Sequence, residues 1–330
     1  MRRGAARAAL ILLTAIAFPA AGAGAIEISA PGGLWYDRDT IGARGTPGKP
    51  LVAILDGYEF SAQSLVYDQR KRTGQARGDV RWRERGAGVP REIRADAVDF
   101  AMAAKTLHAE GGVSLKDRDI DLSALTLEAD LIKGVYELTG SPVRAQFGTQ
   151  DMAAAEMRYD AAQGLICAAG TVLWRQQDGN EMRNITAERF EYDLTHRSGN
   201  AAGNVTLTSG QYRLTAANLT YGESDDLLTL TGAPVATRGD DLRLTAGSLT
   251  WRPALGLLTA AGGAALTSPS VKGTCDEIRF AQKENLVSML GGARFTRGAD
   301  VLAGEEIVYD LSTGKVRIEG HATATIAVEG

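Results

Sequence analysis

The side chains best able to do chemistry in this sequence are three histidines and two cysteines. His108, His196 and His321 are far apart in the chain, and no two share a nearby cysteine or carboxylate. Because metal and acid–base sites need such neighbours, we expect no bound metal and no cofactor. Cys167 and Cys275 fall on opposite phases of the alternation described below, so their side chains should diverge rather than form a disulfide.

Catalytic motifs are also missing from the sequence. No serine elbow with histidine and acidic partners is recognisable, and no glycine-rich phosphate loop follows a strand into a helix. We therefore expect a protein that is not an enzyme. The chain has 36 basic and 40 acidic residues, a net charge of −4, which argues against nucleic acid as a partner because phosphate contacts need a positive face.

The N-terminus has the features of an export signal. A basic end is followed by the uncharged apolar run 8–18 and then by small residues, with Ala23 and Ala25 fitting an A-x-A cleavage pattern. We expect residues 1–25 to be a cleaved signal peptide. The alternative is a retained membrane anchor, because residues 8–25 carry no charge.

A repeat of about 30 residues accounts for most of the remaining chain. An aromatic residue precedes a glycine by 11 positions in eight copies, as at Phe100 and Gly111, and a ninth copy has Ala129 at the aromatic position. We place the repeats in a domain at residues 60–330. The less regular, Gly/Pro-rich residues 26–59 are interpreted as an N-terminal segment that precedes it.

The residues around each aromatic alternate between apolar and polar. Ile93, Ala95 and Val98 precede Phe100 in this way, and the same positions of all nine copies hold no charged side chain. A period of two indicates strands with one wet face, and the three-residue step from Ala95 to Val98 predicts a β-bulge. A second alternating strand follows the turn, and its phase places the glycine on the inward face. The prediction is an all-β stack of about nine antiparallel hairpins.

This inward apolar stripe has two explanations. It packs as a core that holds the sheets together, or it lines a trough for a long lipid. Removing each acyl CH₂ from water contributes about 0.8 kcal/mol, so a trough would shield a lipid effectively. The candidate lipid-binding residues are Leu65, Tyr67, Val98, Phe100, Leu127, Met157, Tyr159, Phe190, Tyr192, Leu219, Tyr221, Leu249, Trp251, Ile278, Phe280, Ile307 and Tyr309.

The repeated pattern Leu-x-Ala-x-x-Leu-x-Tyr, a turn and then Gly-x-Val resembles the LptA/OstA family of periplasmic lipopolysaccharide-transport proteins. The resemblance extends over about residues 51–324, and stretches 60–68, 214–221 and 302–310 show the pattern. It implies an elongated antiparallel β-jellyroll of two facing sheets with an open apolar groove. Departures include the missing aromatic of the third copy and Cys275 where alanine is usual.

The resemblance also implies a function and partners. Lipopolysaccharide would bind by its lipid A acyl chains and cross the periplasm to the outer membrane, with this chain as one component of a bridge. Similar jellyroll components at the inner and outer membranes, or further copies of this chain, would join end to end by strand addition. The alternatives are an LptC-like membrane-anchored component, a parallel β-helix that acts on polysaccharide, and a structural surface protein.

Overall fold

The computed structural model describes residues 26–86, 90–178 and 181–327. The predicted signal peptide, residues 1–25, lies outside the described residues. Within these ranges the chain forms 26 strands and no helix, and so no membrane-spanning helix. The chain divides into two compact units, Met1–Ile132 and Lys133–Gly330, which are described separately.

The first unit has ten strands in its described part. They are β1 (Ile26–Ser29), β2 (Leu34–Asp37), β3 (Thr40–Arg44), β4 (Leu51–Leu55), β5 (Tyr58–Ala62), β6 (Ser64–Asp68), β7 (Thr73–Glu84), β8 (Glu92–Ala101), β9 (Thr106–Asp117) and β10 (Ile120–Asp130). From β7 to β10 each strand pairs with the next in antiparallel register.

The short strands of the first unit continue the same scheme. β5 and β6 pair with the two ends of β7, so together they act as one long strand that is interrupted at Gln63. β4 and β3 pair with β5 and β6 in turn, and β1 and β2 pair with β4 and β3. Residues 26–59 are therefore built of broken antiparallel strands that extend the sheet.

The second unit has sixteen strands in its described part. They are β11 (Val135–Phe147), β12 (Gln150–Asp160), β13 (Leu165–Asp178), β14 (Glu181–Asp193), β15 (Ser198–Ser209), β16 (Tyr212–Gly222), β17 (Leu227–Thr231), β18 (Val235–Arg238), β19 (Leu242–Thr245), β20 (Ser248–Arg252), β21 (Leu257–Thr267), β22 (Val271–Ala281), β23 (Leu286–Arg297), β24 (Asp300–Asp310), β25 (Val316–Glu319) and β26 (Thr323–Thr325).

Pairing in the second unit is antiparallel throughout the described strands. β11 to β16 form a run of neighbours, β17 and β18 pair with the two ends of β16, and β21 to β24 form a second run. β25 and β26 both pair with β24. This confirms the predicted all-β class of antiparallel hairpins, and it contradicts the parallel coils that the β-helix alternative requires.

The predicted bulge is present near the middle of the long strands. The β8–β9 register shifts between Arg94 and Ala97, which covers the three-residue step from Ala95 to Val98. Equivalent shifts occur in the β12–β13, β14–β15 and β22–β23 pairs. A bulge bends a strand and increases its twist, so each long hairpin divides into two half-strands with different directions.

The repeat glycine serves the bulge rather than the interior. Gly111 and Gly112 both have positive φ, 79° and 57°, a conformation that glycine adopts without steric cost. A Cβ added to Gly111 would lie 2.8 Å from the Cβ of Asp96, which is exposed. The expectation that this glycine faces inward is therefore wrong: the left-handed backbone turns its missing side chain toward the outer face.

Bending at the bulges brings the two half-sheets face to face within each unit. In the second unit the Trp174 ring of β13 lies 5.4 Å from the Tyr221 ring of β16, although these strands are not neighbours. In the first unit Phe60 of β5 lies 5.3 Å from Phe100 of β8. The core thus occupies the space between two half-sheets, as in the predicted β-jellyroll.

Candidate functional site

The candidate lipid-binding residues all lie in the space between the half-sheets. Each of the 17 predicted side chains is buried, and none is more than 7% exposed. These residues occupy the same positions of the repeat in both units. In most copies there are two of them, two positions apart on the inward phase of a strand. The alternation in the sequence therefore placed every one of these side chains correctly, whatever their role.

Aromatic side chains of the buried lining are in contact with one another, so at these rings the interior is closed and not the open groove that the resemblance implies. In the first unit the Trp82 ring stacks on Phe60 at 5.1 Å and contacts Phe100 at 5.1 Å. In the second unit Trp174 stacks on Phe190 at 5.8 Å. Accommodating an acyl chain therefore requires the half-sheets to separate or these rings to move.

Turns at the two ends of the strands form two rims around the space between the half-sheets. The aromatic rim is the set of turns beside the repeat aromatics, residues 69–72 and 102–105 in the first unit and 161–164, 194–197, 223–226, 253–256 and 282–285 in the second. The opposite rim is the set of turns at the other strand ends, residues 56–57 and 118–119 in the first unit and 148–149, 210–211, 239–241 and 298–299 in the second.

A buried polar cluster connects these rims in the second unit. Gln150, beside the opposite rim, donates through Nε2 to the Tyr192 hydroxyl at 2.9 Å and to Glu223 Oε2 at 3.1 Å. Its Oε1 accepts from Trp174 Nε1 at 3.2 Å. Glu223 belongs to the aromatic rim and also pairs with Arg197. One glutamine amide therefore holds side chains of both rims together.

Similar bridges follow along the same unit. The Tyr221 hydroxyl donates to Gln176 Oε1 at 3.0 Å, and Arg183 Nη1 lies 3.1 Å from Asp226 Oδ1. Gln176 and Arg183 are buried, with 6% and 4% exposure. In each pair one partner lies near the opposite rim and the other at the aromatic rim. These contacts close the space between the half-sheets with hydrogen bonds instead of apolar packing.

The first unit has a smaller version of this closure. Asp56 of the opposite rim pairs with Arg72 and with Lys105 Nζ at 3.6 Å, and both cations lie on the aromatic rim. Lys105 Nζ also lies 5.2 Å from the Tyr58 ring centre. Burial raises the pKa of Tyr67, whose ring belongs to the same lining, above its usual value.

These rim residues were missed by the sequence analysis. Gln150 and Arg183 continue the inward phase of their strands by two positions beyond Met152 and Ile185. Gln176 does the same after Trp174. The sequence pattern that could have identified these rim residues is a polar residue at an inward position of a strand, close to a turn. The predicted lining included only positions near the repeat aromatic, where no such residue occurs.

Because of the buried tyrosines, we expect the free energy of unfolding to fall at alkaline pH. Burial raises the pKa of Tyr221 to about 12, so this hydroxyl stays neutral in the folded protein when the unfolded chain ionises near its ordinary value of about 10. The stabilisation is complete below pH 10 and is lost as the pH rises toward 12, by roughly 2 kcal/mol in total. Urea unfolding between pH 9 and pH 11.5 should show this fall, and Tyr221→Phe should make it shallower, since burial also raises the pKa of Tyr192, which remains; an unchanged slope would contradict the assignment.

The histidines and cysteines lie apart from the interior cluster. Within the described residues no group of three or more His, Cys, Asp or Glu side chains is arranged to hold a metal. His108 and His321 each contact a glutamate at 2.7 Å on the surface, and His196 contacts Asp193 at the same distance in a turn. Cys275 is buried and Cys167 is half-buried, and both are free thiols.

Two facing half-sheets with an apolar interior define this chain as an all-β jellyroll protein. Residues 184–315 match the family described as LptA/(LptD N-terminal domain) LPS transport protein. This stretch of the chain is therefore similar to the LptA/OstA-like proteins that the repeated motif resembles, and that family is described by transport and not by a reaction.

Comparison with solved structures gives a weaker likeness. The crystal structure of LptH from Pseudomonas aeruginosa, described as the LptA homologous periplasmic component of the conserved lipopolysaccharide transport device, is 18% identical to this chain. The similarity covers 36% of this chain and 95% of that chain, with a TM-score of 0.34. No curated protein matches the sequence.

Proposed function

We propose that this protein binds the lipid A acyl chains of lipopolysaccharide between its half-sheets and carries the glycolipid across the periplasm. The observation that carries the proposal is the interior itself. Within each unit, apolar side chains of the repeat line both half-sheets, and the polar groups are confined to the rims. Acyl chains would lie inside, and the sugar part would emerge between the rims. The family match over residues 184–315 supports lipopolysaccharide as the cargo.

Loading requires the rims to part. Separating them breaks the hydrogen bonds of Gln150 and Gln176, each with a net contribution of about 1 kcal/mol. Transfer of an acyl chain from water contributes about 0.8 kcal/mol for each CH₂, so a chain of ordinary length outweighs several such bonds. The hydrogen bonds of the rims would keep the apolar lining out of water until an acyl chain displaces them.

Strand edges within each unit are the surfaces proposed for partner components. Among the described strands, β1 and β2 of the first unit and β25 and β26 of the second are each paired along one edge. β2 is exposed along its whole length and includes Trp35, which is 47% exposed. We assign these edges to strand addition by similar jellyroll components at each membrane, or by further copies of this chain.

A photo-crosslinker distinguishes a lipid conduit from a structural surface protein. Placed at Leu219, which is 1% exposed and faces the interior, it should label lipopolysaccharide in intact cells. At the adjacent Thr220, which is exposed on the outer face, it should label lipopolysaccharide weakly or not at all. Equal labelling at both positions, or none at Leu219 in a folded protein, would leave a scaffold as the better explanation.

A further inference from the structure

Two buried indole N–H groups have no hydrogen-bond partner in the described residues. They are Nε1 of Trp82 in the first unit and Nε1 of Trp251 in the second. The side chains are nearly inaccessible, since Trp82 is 2% exposed and Trp251 is 3% exposed. Leaving a buried donor unpaired costs about 1–3 kcal/mol, so such groups are uncommon and call for a specific explanation.

The third interior tryptophan shows how such a donor is ordinarily satisfied. Trp174 Nε1 donates to Gln150 Oε1 at 3.2 Å. The two preceding copies of the repeat have Tyr192 and Tyr221 at the position of Trp251. The Tyr192 hydroxyl accepts a hydrogen bond from Gln150, and the Tyr221 hydroxyl donates one to Gln176. At Trp251 the facing ring is Tyr212, with its centre 6.4 Å away, and no described residue accepts from the indole N–H. The unpaired donor is therefore a local departure from the closure used by its neighbours.

Both indoles lie at the depth of the rims. Trp251 is the penultimate residue of β20, directly before the aromatic-rim turn 253–256. Trp82 lies two residues before the end of β7, toward the opposite rim. An acyl chain that fills the interior has its first polar atoms at this level, because its ester or amide group joins the buried tail to the head outside. Such a carbonyl oxygen can accept a hydrogen bond from a donor of the protein at that level.

We propose that Trp251 and Trp82 each donate a hydrogen bond to the ester or amide carbonyl oxygen at the base of a bound acyl chain. This proposal rests on the proposed function, since it assumes that acyl chains occupy the interior. It adds one polar anchor in each unit to a lining that otherwise recognises only hydrocarbon. The anchors would fix how deeply a tail inserts, because a tail pushed further would carry its carbonyl past the donor.

Indole proton resonances test the contact directly. In the full mature chain labelled with ¹⁵N, the Nε1–H signals of the tryptophans are assigned by single Trp→Phe variants and followed during titration with an ester-linked diacyl phospholipid. The signals of Trp251 and Trp82 should move downfield as their donors become bonded. The Trp174 signal should not, because that donor already has an acceptor. Absence of any downfield shift at Trp251 and Trp82 in the lipid-bound protein would overturn the proposal.

A pair of lipids separates the anchor from the lining. Trp251→Phe keeps an aromatic ring and removes the N–H, so it should weaken binding of the ester-linked lipid about five- to tenfold. Binding of an ether-linked lipid with equal chains should stay within twofold of wild type, because that lipid has no carbonyl. Val66→Ala, on the outer face of β6, where Val66 is 45% exposed, is the control and should change neither affinity, and matching melting curves would exclude misfolding.

The outcomes also separate this proposal from the function on which it rests. If wild type binds neither lipid, the conduit itself is contradicted. If wild type binds both lipids and Trp251→Phe weakens both equally, the ring contributes by packing, and the carbonyl anchor is rejected while lipid binding stands. Only a loss confined to the ester-linked lipid supports the anchor.

Discussion

Glutamate in place of Ile278 should lower the free energy of unfolding by about 4 kcal/mol or more at pH 8 and abolish lipid labelling of the interior. Ile278 is fully buried on the inward phase of β22, where its neighbours across the sheet are Ala260 and Met289. A carboxylate there would lie beside the buried apolar side chains of Ala260 and Met289. The same substitution at Thr274, exposed on the outer face of the same strand, should cost less than about 1 kcal/mol.

The pH dependence identifies the buried charge as the cause. Burial raises the pKa of the new carboxyl above its value of about 4.3 in the unfolded chain, so both states are protonated below that pH and the charge penalty is absent. The penalty grows as the pH rises from about 4.3 to the pKa of the carboxyl in the folded protein, and it is constant at higher pH. Ile278→Gln, which has the same shape without the charge, should show a smaller loss that does not vary with pH. Equal losses for Ile278→Glu at pH 4.5 and pH 8 would show that shape, not charge, is responsible. Urea unfolding at the two pH values makes the comparison.

The inward stripe could be predicted from sequence because it depends only on local geometry. A strand alternates its side chains with a period of two, so Val98 and Phe100 face the same side whatever the rest of the fold does. The bulge could be predicted for the same reason, since the step from Ala95 to Val98 has no other simple accommodation in a paired strand. All-β class, hairpins and the candidate lining follow from these two rules.

The closed interior could not be predicted in this way. It depends on which residues of one half-sheet meet those of the other, and Gln150 is 42 positions from Tyr192 and 73 positions from Glu223 in the chain. Hydrogen bonds between such distant residues are set by the bend angle of every hairpin between them. The lining of the site could therefore be predicted from the sequence, whereas the polar rims and the closure of the space between them could not.

The glycine was misplaced because alternation alone does not record the sign of φ. Gly111 lies four positions from Leu107 and from Leu115, so its phase is inward by counting. Its φ of 79° reverses the direction in which a side chain would leave the backbone. The sequence contains a clue to the left-handed backbone, because several of these glycines are followed directly by a glycine or an asparagine. Gly112, Asn204 and Gly263 are examples, and both residue types tolerate the left-handed region.

Alanine in place of Gly203 should destabilise the protein by about 3 kcal/mol, about twice the cost of the equivalent change at Gly262. Both glycines occupy the repeat bulge with the same backbone, with φ of 82° and 83°. A left-handed alanine costs about 1–2 kcal/mol at either position. At Gly203 the new Cβ would also lie 2.8 Å from the Cβ of Glu188, whereas at Gly262 the nearest atom is the Cα of Gly247 at 3.5 Å.

The pairing of Gly262 with Gly247 suggests the decisive variant. Glu188→Gly reproduces that pairing at Gly203 and removes the atom with which the new Cβ would clash. It also removes the 2.6 Å hydrogen bond from Asn204 Nδ2, so it should have a cost of its own. The double variant Glu188→Gly/Gly203→Ala should then be more stable, by about 1–2 kcal/mol, than the sum of the single losses predicts. Chemical denaturation of the four proteins gives this coupling energy. Strict additivity, or equal losses for Gly203→Ala and Gly262→Ala, would mean that the left-handed backbone alone selects glycine at the bulge and that the residue across the sheet has no part in it.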